Sequence, residues 1–134
     1  MSDPALSSND SFLAAFLEAR LAPAAFAHRE HVRAAWLLLQ HMPPDRAAGR
    51  MCDALVIMTR RCGAPEKFHR TVTEAFVRLI AGRGGAASWE AFIATNGDLL
   101  LDGRRVLARY YSDALLNSTA ARERFVPPDL EPLP

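Results

Sequence analysis

Apolar residues recur along this chain at intervals of three and four, and almost nowhere at alternate positions. That is the period of helix, not of strand. The first run, Phe12, Phe16 and Leu17, predicts a helix capped by Asp10 or Ser11 and continuing to about Leu21, where Pro23 ends it. His28, His31, Val32, Ala35, Trp36 and Leu39 share one face of a second helix from about His28 to Met42, stopped by Pro43 and Pro44. Met51, Leu55 and Met58, with Ala48, Cys52 and Val56 beside them, predict a third over Asp45 to Arg61, closed by Gly63 and Pro65. His69, Val72, Thr73, Phe76, Leu79 and Ile80 predict a fourth from Glu66 to about Ala81, before a break at Gly82, Gly84 and Gly85.

Beyond the break the elements shorten. Ser88 caps a helix to about Thr95, and Asn96-Gly97-Asp98 reads as a turn. A further helix covers Arg104 to Tyr111, Ser112 caps a turn over Asp113 to Leu116, and Ser118 caps a last turn through Arg124. Pro127, Pro128, Pro132 and Pro134 then forbid helix. The expectation is an all-α, single-domain helical bundle over residues 1–134. Four longer helices are followed by short C-terminal ones, with a flexible N-terminus over residues 1–10 and an extended Pro-rich tail over 126–134.

Composition narrows the class. With 134 residues, half of them apolar, and a formal net charge of +1, the chain has the profile of a globular protein with one core, not of a basic nucleic-acid binder. No apolar run is long enough to span a membrane and no signal-peptide pattern opens the chain, so a cytoplasmic location is the default expectation. Cys52 and Cys62 stand ten residues apart on one predicted helix, roughly 15 Å at the helical rise, too far for a disulfide. Alanine-rich faces on the first three helices leave a homodimer open.

Three polar residues break the pattern. His28, His31 and His69 occupy core-facing stripes at predicted helix starts, where an imidazole must find hydrogen bonds or a metal to offset lost hydration. If helices two, three and four run up, down and up, the starts of two and four share one end and the three imidazoles converge. The i, i+3 spacing already brings His28 and His31 together. Helix starts also favour neutral imidazole, the metal-binding form. His28, His31 and His69 are therefore candidate ligands of a divalent metal, zinc or iron, with Cys62 as a further candidate ligand and Thr73 as a residue that could orient an imidazole.

A metal with an open position would activate water or accept oxygen, making a metal-dependent enzyme on a small molecule, with Glu30 or Tyr110 as proton-transfer groups. The competing reading is a non-catalytic ligand-binding or protein-interaction module whose histidines are structural. On either reading Glu74 is expected to be solvated, and Trp36 and Phe76 to be core anchors. Arg104 and Arg105 offer at most a weak anion site.

The segments Phe26-Ala27-His28-Arg29-Glu30-His31-Val32-Arg33 and Lys67-Phe68-His69-Arg70-Thr71-Val72-Thr73 resemble a group of small bacterial helical proteins of uncharacterised function. Asp98-Leu99-Leu100, Arg109-Tyr110-Tyr111-Ser112 and Phe125-Val126-Pro127-Pro128-Asp129-Leu130 are similar to the same group. The resemblance spans most of the chain. It implies a free-standing helical domain and identifies no reaction.

Overall fold

The computed structural model describes residues 8–22 and 26–134. Among these residues there are nine α-helices and no strand. The four longest stretches of helical periodicity each became a helix. These are α1 (Asn9–Leu17), α2 (His28–Leu39), α3 (Pro44–Arg61) and α4 (Arg70–Gly82). Five shorter ones follow: α5 (Trp89–Thr95), α6 (Gly97–Leu101), α7 (Gly103–Ala108), α8 (Asp113–Leu116) and α9 (Thr119–Glu123).

The ends of α1 and the start of α4 differ from expectation for local reasons. Ser8, not Asp10 or Ser11, caps α1 by accepting from the Ser11 amide. The helix stops at Leu17, four residues early, in a Schellman turn: Ala19 N–H bonds to Phe16 and Arg20 N–H to Ala15, with Ala19 at a φ of +53°. An alanine in that left-handed position carries no glycine signal. Pro23 lies outside the described residues, as does residues 1–7 of the expected flexible N-terminus. The same turn closes α3, with Gly63 at +74°. Ahead of α4, Pro65–Lys67 form a 3-10 turn, so the helix opens at Arg70, not Glu66. The expected turn at Asn96-Gly97-Asp98 is instead the junction from which α6 begins, and α7 stops at Ala108.

The helices α1 to α4 pack on one another around one contiguous core. Phe12 and Phe16 of α1 meet the buried ring of Phe26, the latter pair stacked at 4.9 Å. Arg33 of α2 donates twice to Asn9 Oδ1, tying the first two helices together. Trp36 faces Trp89 and Phe92 of α5, so it is a core anchor as expected. Cys52 is fully buried in α3, and burial pushes its thiol up to about 12. It behaves as a small apolar residue. No helix among the described residues is long and apolar enough to cross a membrane.

The C-terminal segment closes one side of α4. Fully buried Thr71 donates its hydroxyl to the Arg124 carbonyl at 2.9 Å and accepts from Val126 N–H at 3.1 Å. Tyr111 donates to the Val126 carbonyl at 2.7 Å. Asp129 takes both the amide and the hydroxyl of Ser112, the cap of α8. The proline-rich tail thus lies against the helices, held by bonds that proline's missing N–H does not remove.

Candidate functional site

The motif Phe26-Ala27-His28-Arg29-Glu30-His31 first builds a helix start. Ala27 is the N-cap of α2, which puts Phe26 before it and His31 at the fourth position after the cap, the two places that meet in a hydrophobic staple. Their rings are 4.4 Å apart. Glu30 reaches back to the Ala27 amide at 3.5 Å, the half of a capping box still open when the N-cap is alanine. The carboxylate of Glu30 is therefore spent on the backbone and does not line the cavity described below.

His28 projects the other way. Its ring edge meets Phe76 at 5.2 Å between centroids, and its Nε2–H donates to the Leu99 carbonyl at 2.6 Å. A carbonyl only accepts, so Nε2 carries the proton of this bond. The approach depends on Gly103: a Cβ there would stand 2.8 Å from His28 Nε2 and 3.0 Å from Phe76 Cζ.

His69 is the N-cap of α4 and not a residue of its first turn. Its Nδ1 accepts from Val72 N–H at 3.2 Å, the usual task of serine or aspartate at this position, and its Nε2–H donates to the Leu116 carbonyl at 2.7 Å. Both nitrogens are thereby engaged. Thr73 does not orient this imidazole; its hydroxyl donates to the His69 backbone carbonyl at 2.8 Å.

His31 differs from both. Among the described residues nothing hydrogen-bonds to its ring, and burial, with the nearby His28 as a smaller cause, lowers its pKa from 6.5 to about 4. At neutral pH it is an uncharged imidazole with both nitrogens uncommitted.

These side chains meet at two adjoining cavities. The larger, about 270 Å³, is lined by all three histidines, Lys67 and Thr73, with Met51, Val77 and Ile80 as its buried apolar lining. The smaller, about 230 Å³, shares Phe26, His31, Lys67, His69 and Thr73 with the first and adds Leu55, Met58 and Cys62. The expected convergence of the α2 and α4 starts thus holds. The three imidazoles do not, however, point as a set at one metal position: among the described residues no group of three or more histidine, cysteine or acidic side chains is placed to hold a metal ion.

Other candidates fall elsewhere. Tyr110, half-buried under the Arg109 guanidinium, does not line either cavity. Glu74 is not solvated; it pairs with Arg70 at 2.9 Å. Arg105 is exposed and faces Asp102, and Arg104 borders an open hollow beside His28. Phe76 contributes to the larger cavity wall in addition to packing. Sequence reasoning passed over Lys67, although a signal was present: it is the only lysine among sixteen basic residues.

No protein-family model matches the chain, no curated protein is similar to it and no solved structure resembles it.

Proposed function

We propose that this protein binds a small molecule in the histidine-lined cavity, with His31 as the group that reads it. One observation carries the reading. A neutral imidazole without a hydrogen-bond partner among the described residues sits on the wall common to both cavities. Leaving a half-buried polar group unmatched costs about 1–3 kcal/mol unless water or a ligand bonds to it. His28 and His69, by contrast, are fixed by Leu99 and Leu116 and hold the rim in shape.

A fragment panel screened by ligand-observed NMR tests this against wild type and His31→Leu. Fragments that bind wild type and lose binding to a folded His31→Leu would support the reading. Equal binding to both, or no binding fragment, would overturn it.

A divalent metal, zinc or iron, is the second reading, and one bond favours it. The Leu99 carbonyl takes the Nε2–H of His28 and leaves Nδ1 as the nitrogen that would face a metal, the orientation that backbone carbonyls give metal-bound histidines. Elemental analysis of protein purified without tag or chelator decides: near-stoichiometric metal lost in His28→Ala/His31→Ala would carry it, and metal-free protein would remove it.

A further inference from the structure

Among the described residues, no aspartate or glutamate lines either cavity. The ionisable side chains that do are Lys67, the three histidines and Cys62, so the fixed charge there is positive. Lys67 has no ion-pair partner among the described residues, and its 3-10 turn is anchored from outside by Arg122, which donates to the Glu66 carbonyl at 2.6 Å. An unneutralised ammonium on a braced turn beside an apolar cavity is a place for a counter-charge.

Helix polarity adds to it. The starts of α2 and α4, helices of 12 and 13 residues, both border the larger cavity through His28 and His69, and helix starts carry partial positive charge. The last turn of α3 borders only the smaller cavity, through Thr59 and Cys62. The field therefore favours an anion on the α2 and α4 side. Apart from Thr73, the rest of the larger cavity is lined by apolar residues, with Met51, Val77 and Ile80 almost fully buried. Its 270 Å³, at about 30 Å³ for each water-sized group, holds on the order of ten heavy atoms.

We propose that the cavity takes a small amphipathic carboxylate, its head group paired with Lys67 between the starts of α2 and α4 and its apolar body against Met51, Val77 and Ile80. The inference rests on the ligand-binding reading above and assigns that ligand its chemical class. Lysine suits a single, mobile head group, reached by a flexible stem with three donors, whereas a planar guanidinium suits fixed bidentate pairing.

Octanoate and 1-octanol, which share an apolar chain and differ in head group, are the probes. They are titrated into isotopically labelled wild type, Lys67→Met and Lys67→Arg, reading the amide shifts of His31, Thr73 and Val77. Octanoate is expected to move these amides. Octanol should bind at least about tenfold more weakly, Lys67→Met should weaken octanoate by about tenfold, and Lys67→Arg should lose less, as for a charge-assisted bond. Equal affinity for the two probes, or octanoate binding unchanged in Lys67→Met, overturns the carboxylate assignment while leaving the pocket as a binding site. If neither probe moves these amides, the fragment panel separates the cases: fragments that need His31 sink only this assignment, and a silent panel sinks both.

Discussion

Thr71 and His69, on the side of α4 closed by the C-terminal segment, and His31, on the side that faces α2 and α3, meet opposite fates. On the side closed by the C-terminal segment, the Thr71 hydroxyl both donates and accepts, and the His69 ring does the same at the helix start. On the side that faces α2 and α3, His31 lines the cavity together with Thr73, and its nitrogens are unmatched among the described residues. Polar residues on a core-facing stripe thus have two fates. Where a later segment of chain supplies partners, they brace the fold; where none arrives, they line a space for something else.

The largest test of this contrast is pH. His31 is depressed to about 4 when folded, against 6.5 as its ordinary value, so the unfolded chain takes up its proton first. Stability is therefore full above about pH 6.5 and declines as pH falls toward 4, by on the order of 3 kcal/mol. Urea denaturation at a series of pH values should show this decline, and His31→Leu should flatten it. An unchanged acid slope in the variant would remove His31 from the account.

The braced side answers to Thr71→Val. Loss of the hydroxyl strands the Arg124 carbonyl and the Val126 amide, for an expected loss of about 2 kcal/mol in urea denaturation. The amide shifts around His31 should stay in place. A loss well under 1 kcal/mol would mean that water replaces the hydroxyl and the tail is less firmly held.

Between the two sides sits His28. Gly103→Ala would set a methyl against its Nε2, which should cost about 1.5 kcal/mol and push the ring off Leu99. Nitrogen-detected imidazole spectra report that event: the fixed Nε2–H tautomer of His28 should give way to a mixture. An unaltered spectrum would show that helix α7 shifts instead.

The smallest effect is expected at His69→Ala, about 1 kcal/mol for a lost N-cap. His69→Asn should recover part of it, because asparagine caps the helix but is too short for the Leu116 carbonyl. Thermal melts of the two variants give the comparison, and equal melting temperatures would assign the whole contribution to Leu116.

The four longer helices were legible because each repeats its apolar residues at helical spacing over three turns or more, a signal that survives local ambiguity. Ends were less so. The end of α1 was hidden because Ala19, not glycine, takes the left-handed position. The start of α4 was misplaced because histidine is an unusual N-cap, and only the bond from Val72 reveals it in that role. The convergence of His28, His31 and His69 could be anticipated from helix order and short connections. Their separate duties could not. Glu30 looked like a proton-transfer group beside the histidines, yet it serves the Ala27 amide. Lys67 drew no assignment of its own, yet its turn carries it to the cavity.

By itself, then, the sequence determined an all-helical chain, the faces that would be buried and the end at which three imidazoles would gather. Those outcomes depend on periodicity and local stop signals, which act over a few residues. The tertiary structure decided which imidazole stays unbonded. The carbonyls that hold His28 and His69 belong to Leu99 and Leu116, 71 and 47 residues along the chain. A hydrogen bond across such a separation is set by how helices pack, and no local pattern encodes it.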